Sequence, residues 1–431
     1  MQKYIGIRKE DKNKWERRVP LVPEDVKELK NKFGIEVILE PFERRAFTEK
    51  EFTDAGASFS EKYFEAPLVM AVKEIPIESI HPERAYIFFS HVIKGQRYNM
   101  PMLRKLLEQK CTLIDYECIV DDKKRRLVFY GRYAGLAGMI DTLSGLGKRL
   151  LVKGIETPFM HINPAYMYSD LDEAKSAVEK LAQEIKEFGL PADLTPLIIG
   201  FAGYGNVSKG AWEIFDILPH EVVQPDDLYK LKSDEGKKIY KVVFEEKHLV
   251  EPIDGSQHFE IGDYFNYPEK YKSKFTNYLP ALSVLVNAIY WNEKYPRLIT
   301  KEYLKEHHHE IKLIIVGDIS CDINGSIEFT EKSTEADNPS FIYNPVDGSH
   351  ADGFEGEGIA NIAIDNLPAE LPRDASIGFS KSLMPFIPGI LDADFEKSFD
   401  EVNLPEEIKR AVIVYRGELT PDYKYLEKYL A

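Results

Sequence analysis

Titratable side chains recur in this chain directly after short apolar runs. Lys73 and Glu74 follow LVMAV, His91 follows YIFFS, Glu117 follows TLIDY and Asp318 follows LIIVG. If those runs are strands of an open α/β sheet, the residues after them stand on the edge where such sheets bind ligands. One such residue alone is usually surface charge or a satisfied histidine, so it is the shared position that argues for a site. A lysine and a histidine on one edge can handle the proton traffic of carbonyl, carbinolamine and imine chemistry, and nearby carboxylates can tune them or bind an amine. Arg18, in KWERRVPLVPEDV, has the loop placement of a carboxylate clamp, because guanidinium pairs bidentately with carboxylate. Arg17 is an equal candidate, and a solvated basic loop is the plain alternative.

A second constellation is rich in glycine. LIIGFAGYGNVSKGAWEIF places Gly200, Gly203, Gly205 and Gly210 between an apolar strand and a helix, where bare backbone lets amides approach a pyrophosphate; Tyr204 and Asn206 belong to the same turn. The glycine spacing differs from the usual Gly-x-Gly-x-x-Gly, so strand and helix context carry much of the assignment. About twenty residues on, the second strand should end beside the adenosine ribose, and the residue there is Gln224, after EVV. An acid would argue for NAD. Glutamine leaves room for a 2′-phosphate, so NADP and NAD both stay open, with NADPH slightly preferred. Adjacent His307, His308 and His309 point in different directions and cannot readily share a metal, Cys321 has no local histidine partner, and no metal site is expected.

These residues need elements to hold them. Strands are expected at YIGIR, EVILEP, LVMAV, YIFFSH, TLIDYE and LVFYG, with helices at PEDVKELKNKFG and MPMLRKLLEQK between them. GRYAGLAGMIDTLSGLGKRLL reads as a helix crossing between domains, its glycines required by close approach of another backbone or a ligand. DLDEAKSAVEKLAQEIKEFG is an amphipathic helix with Ala174, Val178, Leu181, Ile185 and Phe188 on one stripe. Strands PLIIG, EVVQ, SVLVNAIYW and KLIIVGDIS follow, interrupted by a lysine- and glutamate-rich insertion at 226–264 with a strand candidate in KIYKVVF. After the loop-rich stretch beyond Cys321, the tail should return to the first domain. The expected fold is α/β, two Rossmann-like doubly wound domains separated by a cleft: 1–130 plus 345–431 for the substrate, and 131–344 for the dinucleotide.

Composition narrows the partners. With 431 residues, 44% hydrophobic and 12% aromatic, the chain can build full cores. Its 56 basic against 72 acidic residues give a net charge of −16, which disfavours nucleic acid and anionic membranes and favours small soluble ligands. No apolar run approaches the ~20 residues of a membrane span, and the start MQKYIGIRKEDKNK does not resemble a signal peptide, so a cytoplasmic protein is expected. Three cysteines without CxxC spacing make no disulfide framework.

The elements ERRVPLVP, AVKEIP, FFSHVIKGQ, DYECIVDD, GRYAGLAGMI, TPFMHI, FAGYGNVSKGA, VNAIYW, GDISCDINGSIEF and AIDNLPAELPRDAS occur in an order that resembles the lysine–ketoglutarate reductase domain of the aminoadipic semialdehyde synthases. More distantly the chain is similar to lysine-forming saccharopine dehydrogenases and to alanine dehydrogenase. The resemblance implies that lysine and 2-oxoglutarate condense to an imine, which a nicotinamide cofactor reduces to saccharopine, or the reverse oxidation. It also implies that Lys73 and His91 are the acid/base pair, that Glu74 and Glu117 tune it, and that Lys94 and Arg18 lie near substrate carboxylates. Asp318 and Asp322 match aspartates beside the nicotinamide ribose, and Gly200, Gly203 and Gly205 match the phosphate turn.

Arg132 stands where relatives tend to carry a neutral residue, so it either clamps a different acid or satisfies a local negative charge. The chain ends at Ala431 after the reductase-like part, so a bifunctional role is not expected; a separate saccharopine-oxidising enzyme and a homo-oligomer are candidate partners. Two rival readings stand beside the saccharopine one. The first is an amino-acid dehydrogenase of the alanine dehydrogenase type with another substrate. The second is a non-catalytic nucleotide-binding sensor, against which the presence of both Lys73 and His91 argues.

Overall fold

A computed structural model describes residues 3–430. They form two compact units: residues up to Tyr130 with those from Pro372 onward, and Gly131–Leu371. The first unit opens with β1 (Tyr4–Ile7), α1 (Pro23–Phe33), β2 (Glu36–Leu39), α2 (Glu49–Asp54), β3 (Ser58–Phe59), β4 (Leu68–Met70), β5 (Ala85–Phe88), α3 (Met100–Glu108) and β6 (Thr112–Asp115). The second begins with α4 (Gly131–Val152), α5 (Leu171–Phe188), β7 (Ile198–Ala202), α6 (Asn206–Phe215), β8 (His220–Val223) and β9 (Ile239–Phe244). It continues through α7 (Glu246–Leu249), β10 (Val250–Pro252), α8 (Ile261–Asn266), β11 (Tyr271–Ser273), β12 (Val284–Asn287), α9 (Lys301–His307), β13 (Ile315–Asp318), β14 (Ser340–Tyr343), β15 (His350–Asp352) and β16 (Ile359–Ile362). The chain then re-enters the first unit with α10 (Pro372–Leu383), β17 (Val412–Tyr415) and β18 (Glu418–Leu419).

The first sheet runs β18-β17-β6-β5-β4-β1-β2-β3 and is parallel from β6 to β3. Its strands are short and apolar because both faces are covered. α1 shows the local rules plainly: Pro23 opens it, Val26 and Leu29 are its buried residues, and Gly34 ends it at φ 64°. The strand expected at LVFYG does not form. β17 takes the place beside β6, pairing antiparallel with it, and residues 127–130 run as loop into α4. Residues 345–371 also differ from the expected boundary. They stay in the second unit because β16 pairs with β13 inside its sheet, and the chain crosses back only at Pro372.

The second sheet runs β15-β14-β16-β13-β12-β7-β9-β8. β8, β9, β7, β12, β13 and β16 are parallel, and β14 and β15 form an antiparallel edge. The strand nearest in sequence after the glycine turn, β8, is therefore not the neighbour of β7. The crossover through 225–238 is long enough to return β9 between them, and the insertion supplies the inner strand. Among the described residues no helix is long and apolar enough to cross a membrane.

α4 is buried on nearly every side, which explains its glycines. A Cβ on Gly135 would lie 1.9 Å from the Val207 carbonyl oxygen of α6, and one on Gly210 would lie 2.1 Å from the Arg132 carbonyl oxygen. α4 also carries Asp141, buried beside Glu370. Asp141 Oδ1 accepts the Ala165 N–H at 2.8 Å and Glu370 Oε2 accepts the Tyr166 N–H at 3.3 Å, while Asp141 Oδ2 and Glu370 Oε1 are buried with no other donor on them among the described residues. Burial pushes both upward, and one shared proton satisfies the pair. Folded-state values above the unfolded ones mean that stability is full at low pH and is lost as pH rises through the raised values. Glu370→Gln should therefore flatten the fall in melting temperature as pH rises from the ordinary carboxyl range to about 7, the raised value of Asp141; an unchanged slope in a pH series of thermal melts would contradict this.

Candidate functional site

β4 and β5 are parallel neighbours and end on the same edge of the first sheet. His91, at φ 51°, turns the chain after β5, and its Nδ1 lies 2.7 Å from Glu74 Oε1. With the proton on Nδ1, Nε2 is left free to accept one. Phe89 lies nearly parallel to the imidazole, at 6.2 Å between centroids. Lys12 Nζ contacts both Glu74 oxygens, at 2.9 and 2.7 Å. Burial pushes the Glu74 carboxyl up, but hydrogen bonds from His91 and Lys12 outweigh it and hold the group at about 2. It stays an anion at any working pH.

Lys73, half-buried, is held below the ordinary lysine range. Burial is the main cause, Arg18 and Lys12 add repulsion, and Glu16 and Glu74 pull the other way. Its backbone is fixed from the neighbouring strand. Glu10, just past β1, accepts the N–H groups of Val72 at 2.6 Å and Lys73 at 3.1 Å, and its carboxyl is raised by burial and by Glu16. The switch in strand order lies between β1 and β4, where open sheets bind ligands.

Arg18 is buried and forked on Glu16, with Nε at 2.7 Å from Oε1 and a terminal nitrogen at 2.5 Å from Oε2. Its guanidinium sits 4.2 Å from the Tyr130 ring centre, and Tyr130 stacks at 4.5 Å on Phe379 of α10. α10 also fixes this loop: Ser376 Oγ accepts the Val19 N–H at 3.0 Å and Ser380 Oγ accepts that of Val22 at 3.1 Å. Arg17 is exposed and donates to the Arg44 carbonyl. Lys73, Glu74, His91 and Arg18 thus gather on one edge. Glu117 is instead paired with Arg126, and Lys94 is exposed on the turn after His91.

In the second unit, Gly203 adopts φ 99°, which favours glycine, and its N–H bonds the Phe244 carbonyl at 3.2 Å. Gly205 precedes α6, and a Cβ there would meet nothing within 4 Å. Gly200 has a packing role, since a Cβ would press on Phe244 at 2.9 Å. Asn206 is exposed as the first residue of α6. Gly203, Tyr204, Gly205, Glu246, Tyr264 and Tyr295 are among the residues lining a cavity of about 300 Å³. An open turn of left-handed and bare backbone facing an aromatic cavity fits a dinucleotide.

Gln224 is exposed at the end of β8, one strand further out from β7 than its assigned place, because β9 intervenes. Asp318 is buried and accepts from Thr330 Oγ1 at 2.6 Å, Ser320 Oγ at 2.8 Å and Asn287 Nδ2 at 2.8 Å; burial raises its carboxyl despite those bonds. Asp322 lies in the following turn, its carbonyl accepting the Gly325 N–H. Arg132 is forked on Glu213 of α6 at 2.9 and 2.7 Å, the local-charge alternative.

Residues 6–137 match the alanine dehydrogenase/PNT N-terminal domain and residues 224–422 match its C-terminal domain, together well over half of the chain. The chain belongs to the alanine dehydrogenase/PNT family. It is 40% identical, over 98% of its length, to the alpha-aminoadipic semialdehyde synthase of Arabidopsis thaliana, of which it spans 41%. It is 24% identical over 86% of its length to a protein of Yarrowia lipolytica named saccharopine dehydrogenase [NAD(+), L-lysine-forming], covering 88% of that protein. The solved structure of an L-alanine dehydrogenase superposes at a TM-score of 0.62 with 15% identity, covering 99% of this chain and all of that one, which shows the shared two-domain α/β fold. Sequence reasoning passed over three carboxylates in this family member. Glu10 and Glu16 had a signal, since Glu10 closely follows YIGI and Glu16 lies two residues before Arg18; Glu246 had none until β9 was placed.

Proposed function

We propose that this chain is a nicotinamide-dependent oxidoreductase acting on a CH–NH bond, joining L-lysine and 2-oxoglutarate through an imine that is reduced to saccharopine. The Lys73, Glu74 and His91 cluster at adjoining strand ends carries the reading. The names of the Arabidopsis and Yarrowia relatives support the substrates. When bound, the reduced nicotinamide supplies a hydride.

The chain's own residues handle the protons. His91 Nε2, with Nδ1 held by Glu74, takes a proton from the lysine ε-ammonium so that the amine can attack the keto carbon. Lys73, with its weakened hold on a proton, protonates the departing hydroxyl as water leaves. Lys94, exposed beside this edge, is the cation offered to a substrate carboxylate, whereas Arg18 would have to exchange Glu16 first. Gly203, Tyr204, Gly205 and Asn206 would cradle the pyrophosphate, with Asp318 keeping the end of β13 in place and Asp322 next to it. The free thiols of Cys111, Cys118 and Cys321 fit a reducing compartment such as the cytoplasm.

Following reduced-nicotinamide absorbance while omitting lysine, 2-oxoglutarate and cofactor in turn tests the reading. Oxidation should require all three. Turnover with ammonia and pyruvate but none with lysine would overturn the substrate assignment. Gly205→Val should remove nucleotide binding while the fold persists, since the added side chain has open space; calorimetric titration showing unchanged affinity would refute this placement of the pyrophosphate.

A further inference from the structure

Resting on the dinucleotide reading above, the strand order points to a residue that selects the cofactor. In a doubly wound nucleotide domain, the strand beside the first one ends at the adenosine ribose, and an acid there hydrogen-bonds the 2′-hydroxyl, whereas a 2′-phosphate needs a cation. Here that neighbour is β9, in register with β7 from Ile198–Tyr240 to Ala202–Phe244. β8, which ends at Gln224, is the outer strand. The residues that leave the inner strand are Glu245 and Glu246.

The local contacts join this acidic turn to the glycine turn. The Phe244 carbonyl accepts the Gly203 N–H at 3.2 Å, and Tyr204 Oη donates to Glu246 Oε2 at 2.9 Å. Glu246 lines the same cavity as Gly203 and Gly205. The adjacent cation, Lys247, is paired with Glu245 at 2.9 Å, so the turn keeps a net negative charge, and His248 Nδ1 is engaged by the Glu245 N–H at 3.1 Å. We propose that Glu246, with Glu245 behind it, binds the adenosine ribose hydroxyls and makes this chain select NAD(H) over NADP(H). A dianionic 2′-phosphate brought against two carboxylates is repelled, while free 2′- and 3′-hydroxyls find an acceptor. This reverses the preference that Gln224 suggests.

Equilibrium binding tests the assignment without turnover. NADH and NADPH are titrated separately into the full chain at constant ionic strength, followed by nucleotide fluorescence or calorimetry. NADH should bind at least about tenfold more tightly. Glu246→Arg should bring the two affinities together or invert them, and Glu246→Gln should weaken NADH with little change for NADPH. Equal or tighter binding of NADPH by the unsubstituted chain overturns the proposal, and so does a Glu246→Arg chain, folded by circular dichroism, that keeps the original ratio. Binding of neither nucleotide overturns the dinucleotide reading beneath it as well. Selective NADH binding without lysine-dependent turnover upholds the proposal and removes only the substrate assignment.

Discussion

Lys73→Met is expected to lower turnover about 100- to 10,000-fold while nicotinamide affinity stays nearly unchanged, the loss typical of removing a positioned general acid or base. Methionine keeps the length and loses the proton. The side chain is already held below the ordinary lysine range by burial, so deleting the charge removes desolvation strain and should not unfold the unit. The backbone at 73 remains tied to Glu10. His91→Gln should give a comparable loss, because glutamine can still reach Glu74 but cannot take a proton. Steady-state rates beside equilibrium nucleotide titrations of both variants check this; parallel losses in rate and affinity would contradict catalytic roles for these two residues.

Gly135→Ala should destabilise the second unit by about 2 kcal/mol. Alanine gains about 1 kcal/mol of helix propensity over glycine, so an exposed helical glycine would show the opposite sign. At 135 the new Cβ meets the Val207 carbonyl oxygen at 1.9 Å and the Ala211 nitrogen at 2.7 Å. Both are backbone atoms that no rotamer can move aside, so α4 and α6 must separate. Gly262 in α8 is the matching control, because a Cβ there meets nothing within 4 Å. Gly262→Ala should raise the melting temperature slightly and Gly135→Ala should lower it by several degrees. Equal effects in calorimetry would contradict the close helix packing.

Local chemistry made much of this architecture readable. The apolar runs before Lys73, His91, Glu117 and Asp318 are strands β4, β5, β6 and β13, and Gly34 and Gly189 follow helix ends as expected. The misses came from pairings at long range. LVFYG has strand composition, but β17, some three hundred residues later, takes the place beside β6. Gln224 follows a real strand, yet nothing local tells that β9 will displace β8 from β7. Phe188 lies on the apolar stripe of α5 but is 72% exposed, since the helix end overhangs its support. At the candidate site, strand-end position anticipated that Lys73, Glu74 and His91 would share one edge of the sheet, whereas the partners of Arg18, Glu117 and Arg132 were set by contacts that spacing cannot reveal.

The most direct measurement uses nicotinamide carrying deuterium at the transferable position, with lysine and 2-oxoglutarate, and reads the product by mass spectrometry. One deuterium on the carbon that joins the two substrates, at the mass of saccharopine, is the expected result. Label appearing in 2-hydroxyglutarate or in an amino acid formed from ammonia, with none in a lysine adduct, would contradict the proposed reaction.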